Sequence, residues 1–194
     1  MAKIITIWRA LEPMLYSDDF THLADIARKL RLHHTTVRKY LGTFEEEGII
    51  IKKIKGRLTL YKLNEANPLL KDYLQIIEKE RLVNQCLENK LLREIVGFFH
   101  AVASGWKVVM FGSAVENIKK ANDIDILLVG NGHKIEMIAF YREMRAFKSK
   151  WGIDVQVVHC KDFSEVNKPL KREIRKKHLF IEGAEETIQW MLEN

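Results

Sequence analysis

Residues 107–130 read KVVMFGSAVENIKKANDIDILLVG, and this stretch decides the fold of the second half of the chain. Lys107–Phe111 is a short apolar run with the look of a buried strand, and Gly112–Ser113 follows it at once. A polar stretch, AVENIKKAN (114–122), separates it from a second strand-like run, DIDILLV (123–129). In a strand, residues i and i+2 point to the same face. Asp123 and Asp125 therefore stand side by side, while Ile124, Ile126 and Leu128 fill the other face. Two carboxylates so close repel each other unless a cation lies between them.

A third carboxylate lies downstream. GIDVQVVH (152–159) alternates as a strand, with Asp154 near its start. If this strand neighbours the Asp123–Asp125 strand, all three acids face one cleft. Oxygen-only ligands suit magnesium, and three carboxylates can hold two ions roughly 4 Å apart. Gly112 lets the backbone approach a phosphate, and the Ser113 hydroxyl and nearby N–H groups can grip it.

Taken together, strand, Gly-Ser, spacer, Asp-x-Asp strand and later Asp strand resemble the nucleotidyltransferase superfamily of the DNA polymerase beta type. The likeness is to its minimal, antitoxin-type members and spans roughly residues 90–185. It implies that Gly112 and Ser113 contact the triphosphate and that Asp123, Asp125 and Asp154 ligate two magnesium ions, with Asp154 on the side of the base. ATP or another nucleoside triphosphate would be the substrate, a hydroxyl on protein or RNA the acceptor, and a toxin a protein partner. PLKREIRKKHLFIEG (169–183) resembles the closing helix and strand-like run of these proteins. The family's arginine and second glycine after the Gly-Ser are replaced here by Ala114, Val115, Glu116 and Asn117, and its serine before the first aspartate by Asn122. Lys119 and Lys120 are the cations available in their place.

The first half reads differently. Residues 3–16 place Ile4, Ile7, Trp8, Leu11 and Leu15 at helical spacing, and HLADIARKL (22–30) is a short amphipathic helix capped by Asp19 or Thr21. A third helix, HTTVRKYLGTFEEE (34–47), turns Val37, Tyr40, Leu41 and Phe44 inward and stops at Gly48. IIIKKIK (49–55), a turn at Gly56–Arg57 and LTLYKLN (58–64) form a hairpin. Three helices and a hairpin over residues 1–65 resemble a winged helix-turn-helix, which implies that the third helix enters a duplex DNA groove. His34, Thr35, Thr36, Arg38 and Lys39 lie at the start of that helix, and Lys52, Lys53, Lys55 and Arg57 make a basic wing. The competing reading is a protein-docking module whose lysines merely protect a sheet edge.

Residues 66–89 form a helical connector, and 90–194 the nucleotidyltransferase-like domain. The apolar stripe from Leu70 to Phe98 reads as core or as the seam of a homodimer. The expected fold is thus α+β: a winged helix plus a nucleotidyltransferase-fold domain with a small mixed sheet. A net charge of +6 favours an anionic partner, and 47% hydrophobic residues suffice for packed cores. Arg9 and Glu12 interrupt any signal-peptide core, no apolar run spans a bilayer, and Cys86 and Cys160 show no paired spacing, so a cytoplasmic protein without a membrane partner is expected. His33, His34, His159 and Cys160 make no zinc pattern. Two functions follow: transfer of a nucleoside monophosphate, or DNA-binding regulation in which the second domain only binds nucleotide or a partner.

Overall fold

The computed structural model describes residues 7–17, 19–103, 105–118, 120–130 and 134–193. The chain divides into two compact units, Met1–Ile77 and Glu78–Asn194. The protein is α+β, a winged helix followed by a domain built on a small mixed sheet.

Among the described residues the first unit opens with a 3-10 helix, Ile7–Met14, inside the stretch 3–16 for which the spacing predicts a helix; residues 3–6, Ile4 among them, lie outside the described residues. Strand β1 (Thr21–His22) precedes α1 (Leu23–Leu30). Thr21 is thus not a helix cap: it pairs with Tyr61, and His22, with no side-chain capping bond, takes the cap position. Helix α1 buries Leu23, Ile26, Ala27 and Leu30, the i, i+3, i+4, i+7 stripe of an amphipathic helix. Arg31 in the left-handed region turns the chain into α2 (His34–Glu46), which buries Val37, Leu41 and Phe44 and leaves Tyr40 half-buried.

Gly48, at φ +69, reverses the chain after α2. The last carbonyls of this turn are met from afar, by Asn64 Nδ2 on Gly48 O (2.8 Å) and Asn67 Nδ2 on Glu47 O (3.1 Å). Strands β2 (Ile50–Lys55) and β3 (Leu58–Leu63) form the hairpin, and the antiparallel sheet runs β1-β3-β2. Trp8, Phe44 and Tyr73 pack ring to ring, with centroids 5.2–5.9 Å apart.

Helix α3 (Leu70–Glu88) ends where the Asn89 side chain caps α4 (Lys90–Val102), accepting from Leu92 N at 3.3 Å. The second unit then contains β4 (Lys107–Phe111), the four-residue α5 (Ala114–Asn117), β5 (Asp123–Val129), α6 (Lys134–Trp151) and β6 (Asp154–Cys160). After a short 3-10 turn come α7 (Lys168–Lys176), β7 (His178–Glu182) and α8 (Ala184–Leu192). The sheet order is β6-β5-β4-β7. Strand β4 is antiparallel to both neighbours, whereas β5 and β6 are parallel and joined through α6. Leu92, Ile95 and Phe99 of α4 share a core with Val108, Met110, Ile124, Ile126, Leu179 and Ile181. Trp106 and Trp190 are buried and serve packing.

One polar cluster is sealed in this unit. Glu78, 1% exposed, accepts two bonds from Arg81 Nη1 (2.9 and 2.8 Å), and His178 Nε2 lies 3.1 Å from its Oε1. His178 Nδ1 donates to the Ile174 carbonyl (2.7 Å), and Arg81 Nη2 to the His178 carbonyl (3.0 Å). Burial works to raise the Glu78 carboxyl, but His178 and Arg81 outweigh it and hold it below its ordinary value. No helix among the described residues is long and apolar enough to cross a membrane.

Candidate functional site

Strand β4 delivers Gly112 directly onto Asp125. Its last residue, Phe111, is the register partner of Asp125, and Gly112 then turns at φ +75. A Cβ on Gly112 would stand 2.7 Å from Asp125 Oδ2, so this place needs glycine both for its backbone and for its missing side chain. Ser113 opens α5; it is exposed and makes no capping bond, which leaves its hydroxyl at the mouth of the turn.

In register, Asp123 faces Asp154 and Asp125 faces Gln156. Directly opposed residues project to the same side of a sheet, so all four share one face. Asp123 and Asp125 are half-buried, between the buried Ile124 and Ile126. Burial, then Asp123, then Glu173 of α7 raise the Asp125 carboxyl above its ordinary value. Such a pair, with Gly112 close above it, suits one divalent cation with oxygen ligands.

Asp154 shares the face but not the cluster. It is exposed, and its Oδ2 accepts from Lys148 Nζ of α6 at 2.5 Å. Gln156 Nε2 donates to Asp123 Oδ2 at 2.5 Å and lies between the acids as a neutral neighbour. Among the described residues, no three His, Cys, Asp or Glu side chains come together as a metal ion would require. The third carboxylate is paired with the Lys148 ammonium. Lys119 lies outside the described residues, and Lys120 is exposed in the turn after α5. Lys148, Gln156 and Glu173 are neighbours to which the sequence pattern gives no role. Only the parallel β5–β6 register points to Gln156.

In the winged helix, His34, Thr35, Arg38 and Lys39 are exposed at the start of α2, whereas Thr36 is half-buried and turned partly inward. Lys52, Lys53, Lys55 and Arg57 are exposed on the hairpin. Lys52 is engaged with Glu45 (3.1 Å), and Lys53 stands over the Phe20 ring (5.7 Å). Arg38, Lys39, Lys55 and Arg57 have no ion pair among the described residues. A cleft of about 360 Å³ opens between helix and hairpin, lined by His22, Asp25, His34, Arg38, Arg57 and Thr59. His22 and Asp25 join the lining from β1 and α1; no periodicity in the sequence announces that strand.

What the geometry defines is a two-unit protein, a winged helix with a basic cleft followed by a mixed-sheet domain with a carboxylate pair. No protein family model matches the chain, and no curated protein matches it. Among solved structures, wild-type ZitR of Lactococcus lactis in complex with DNA is 27% identical, with 52% of this chain and 75% of that chain covered and a TM-score of 0.32. The adhesin competence repressor AdcR of Streptococcus pyogenes is 21% identical, covering 53% and 81%, with a TM-score of 0.32. TrmBL2, an archaeal chromatin protein, is 12% identical, covering 80% and 63%, with a TM-score of 0.28. Scores this low give no ground for transferring a function.

Proposed function

We propose that the protein is a DNA-binding regulator that grips duplex DNA through its winged helix. The observation that carries this reading is the set of exposed cations without ion pairs among the described residues: Arg38 and Arg57, which line the cleft between α2 and the hairpin, with Lys39 on α2 and Lys55 on the hairpin. The one acid of the lining, Asp25, is paired with Arg28 (2.9 Å), and cations without an ion pair are ready to replace the counterions of a phosphate backbone. His34 and Thr35 at the start of α2 supply donors and acceptors for base edges. Of the glutamates at the end of α2, Glu45 is paired with Lys52 and Glu47 accepts from the Tyr73 hydroxyl (2.6 Å), while Glu46 is exposed. Fluorescence anisotropy of the full chain with a labelled duplex tests it. Binding that weakens steeply with salt is expected; no binding at low salt would reduce the winged helix to a docking module.

A second reading rests on the Gly112–Asp125 contact and the raised Asp125 carboxyl. Here Asp123 and Asp125 hold a divalent cation, magnesium by ligand type, that carries the phosphates of ATP or another nucleoside triphosphate. Gly112 leaves room for the phosphates, and the Ser113 hydroxyl donates to them. The cation's own contribution is neutralisation of phosphate charge. Release of Asp154 from Lys148 would complete the ligand set of a nucleotidyltransferase that moves a nucleoside monophosphate to a protein or RNA hydroxyl; retention of that ion pair would leave a nucleotide-binding domain. Incubation with α-labelled ATP and magnesium separates the two. Label in an acceptor requires the transferase, while nucleotide binding without transfer to any acceptor favours the regulator. A toxin-like protein partner and a homodimer belong to the same set of proposals.

A further inference from the structure

Helix α7 carries five cations and one acid between Lys168 and Lys176 with its C-cap Lys177 set apart, and the cations are sorted by face. Ile174 is buried, and Leu170 lies half-buried on the same side. Lys168, Arg172 and Lys176 recur every fourth residue on the opposite side, and all three are exposed. Among the described residues none of the three side chains has an ion pair or hydrogen bond. Their neighbours are differently placed: Lys171 donates to the Glu193 carbonyl (2.6 Å) and lies over the Trp190 ring, and Lys177 pairs with Glu116 (3.0 Å). Burial, and after it the charge of Arg175, holds Lys171 below its ordinary value, as expected where cations crowd. Three like charges in one row without a counter-charge cost stability unless an anion answers them.

The row also has an address. Lys177 reaches Glu116 of α5, Glu173 acts on Asp125, and His178, the first residue of β7, is the register partner of Phe111. Helix α7 therefore flanks the turn that carries Gly112 and Ser113. We propose that Lys168, Arg172 and Lys176 form a track for the backbone of a single nucleic-acid strand, laid beside the carboxylate pair. Four residues of helix advance about 6 Å, a step that one flexible strand can match phosphate by phosphate. A duplex, with its phosphates on two diverging rails, would meet a nine-residue helix at fewer points. The proposal deepens the second reading in one respect: the strand's end lies where a nucleotide on Asp123 and Asp125 would be.

The test uses the full chain with Arg38, Lys39, Lys55 and Arg57 replaced by alanine, so that the winged helix is silent. The probe is a fluorescein-labelled twenty-nucleotide oligothymidine, followed by anisotropy across a salt series. Binding should persist in this background and fall at least tenfold when Lys168→Gln, Arg172→Gln and Lys176→Gln are added. The log–log salt slope should fall by about 2, at about 0.7 per phosphate contact on a single strand. These exposed positions put the fold at little risk, and circular dichroism confirms it. Unchanged affinity in the triple variant overturns the proposal. So does a clear preference for duplex, or displacement of the strand by polyglutamate at equal charge, which would make the row a site for acidic polypeptides. Calorimetry with magnesium and ATP on the same proteins keeps the two ideas apart. Absence of nucleotide binding, with strand binding still dependent on α7, removes the sheet-site reading and leaves the track standing.

Discussion

Replacing Gly112 by alanine perturbs the protein in two separable ways. The backbone at φ +75 is left-handed, which costs a residue with a Cβ about 1–2 kcal/mol. The new methyl would also stand 2.7 Å from Asp125 Oδ2, closer than real contacts allow. Relief by rotating Asp125 away from its rotamer adds about 0.5–1.5 kcal/mol. The sum is about 1.5–3.5 kcal/mol, or a melting-temperature loss of about 3–14 °C at about 2–4 °C per kcal/mol for a chain of this size. Denaturant titration followed by circular dichroism measures it, and a double-mutant cycle with Asp125→Ala divides the two causes. In that background the collision is gone, so Gly112→Ala should cost only the backbone part. Strict additivity of the two substitutions, or an alanine variant as stable as the parent, would refute the placement of this turn over the carboxylate.

Other perturbations follow from the same geometry. Asp125→Asn should stabilise the protein at neutral pH. A carboxyl raised in the fold costs stability above its folded value and nothing below the unfolded one, so the gain, which solvent screening keeps small at a half-exposed group, should vanish in acid. Glu78→Ala leaves Arg81 and His178 facing each other without their carboxylate and should cost about 3–5 kcal/mol by urea unfolding. Because Glu78 is lowered in the fold, the stability it contributes is present above the ordinary carboxylate range and is lost as pH falls through the lowered value; Glu78→Gln should remove that part of the acid dependence. Arg38→Ala and Lys39→Ala should each reduce the salt slope of duplex binding by about 0.9, and an unchanged slope in both would exclude α2 as the DNA contact.

Much of the architecture can be read from pattern, and the failures have physical causes. Periodicity locates α1, α2, the hairpin, β4 and β5 because each carries its own apolar stripe and its own stop, such as Gly48. Strand β1 escapes because two residues have no periodicity; only pairing with Leu60 and Tyr61 makes Thr21–His22 a strand. The break between α3 and α4 stays open in the sequence, which allows one long helix or two, because Asn89 interrupts an apolar stripe that continues on both sides. At the candidate site, the i, i+2 rule places Asp123 and Asp125 correctly on one face. Strand alternation also places Asp154 on that face, whereas its ion pair with Lys148 is not visible in a sequence. Its partner Lys148 sits on α6, whose mixed charges and apolar residues announce no element of their own.

The Glu78–Arg81–His178 cluster bears on how the chain can be divided. His178 sits opposite Phe111, one residue before the Gly112 turn, and Glu78 and Arg81 hold it from about a hundred residues away. A fragment cut at Lys90 would retain every carboxylate of the candidate site and most of the second unit's core, yet leave His178 without its anion and expose its surroundings to water. The smallest autonomous piece therefore starts upstream of Glu78, inside a helix that looks like a spacer. Anyone trimming the protein to its candidate site would discard, along with that spacer, the clasp on β7, the strand paired with β4 just ahead of the Gly112 turn.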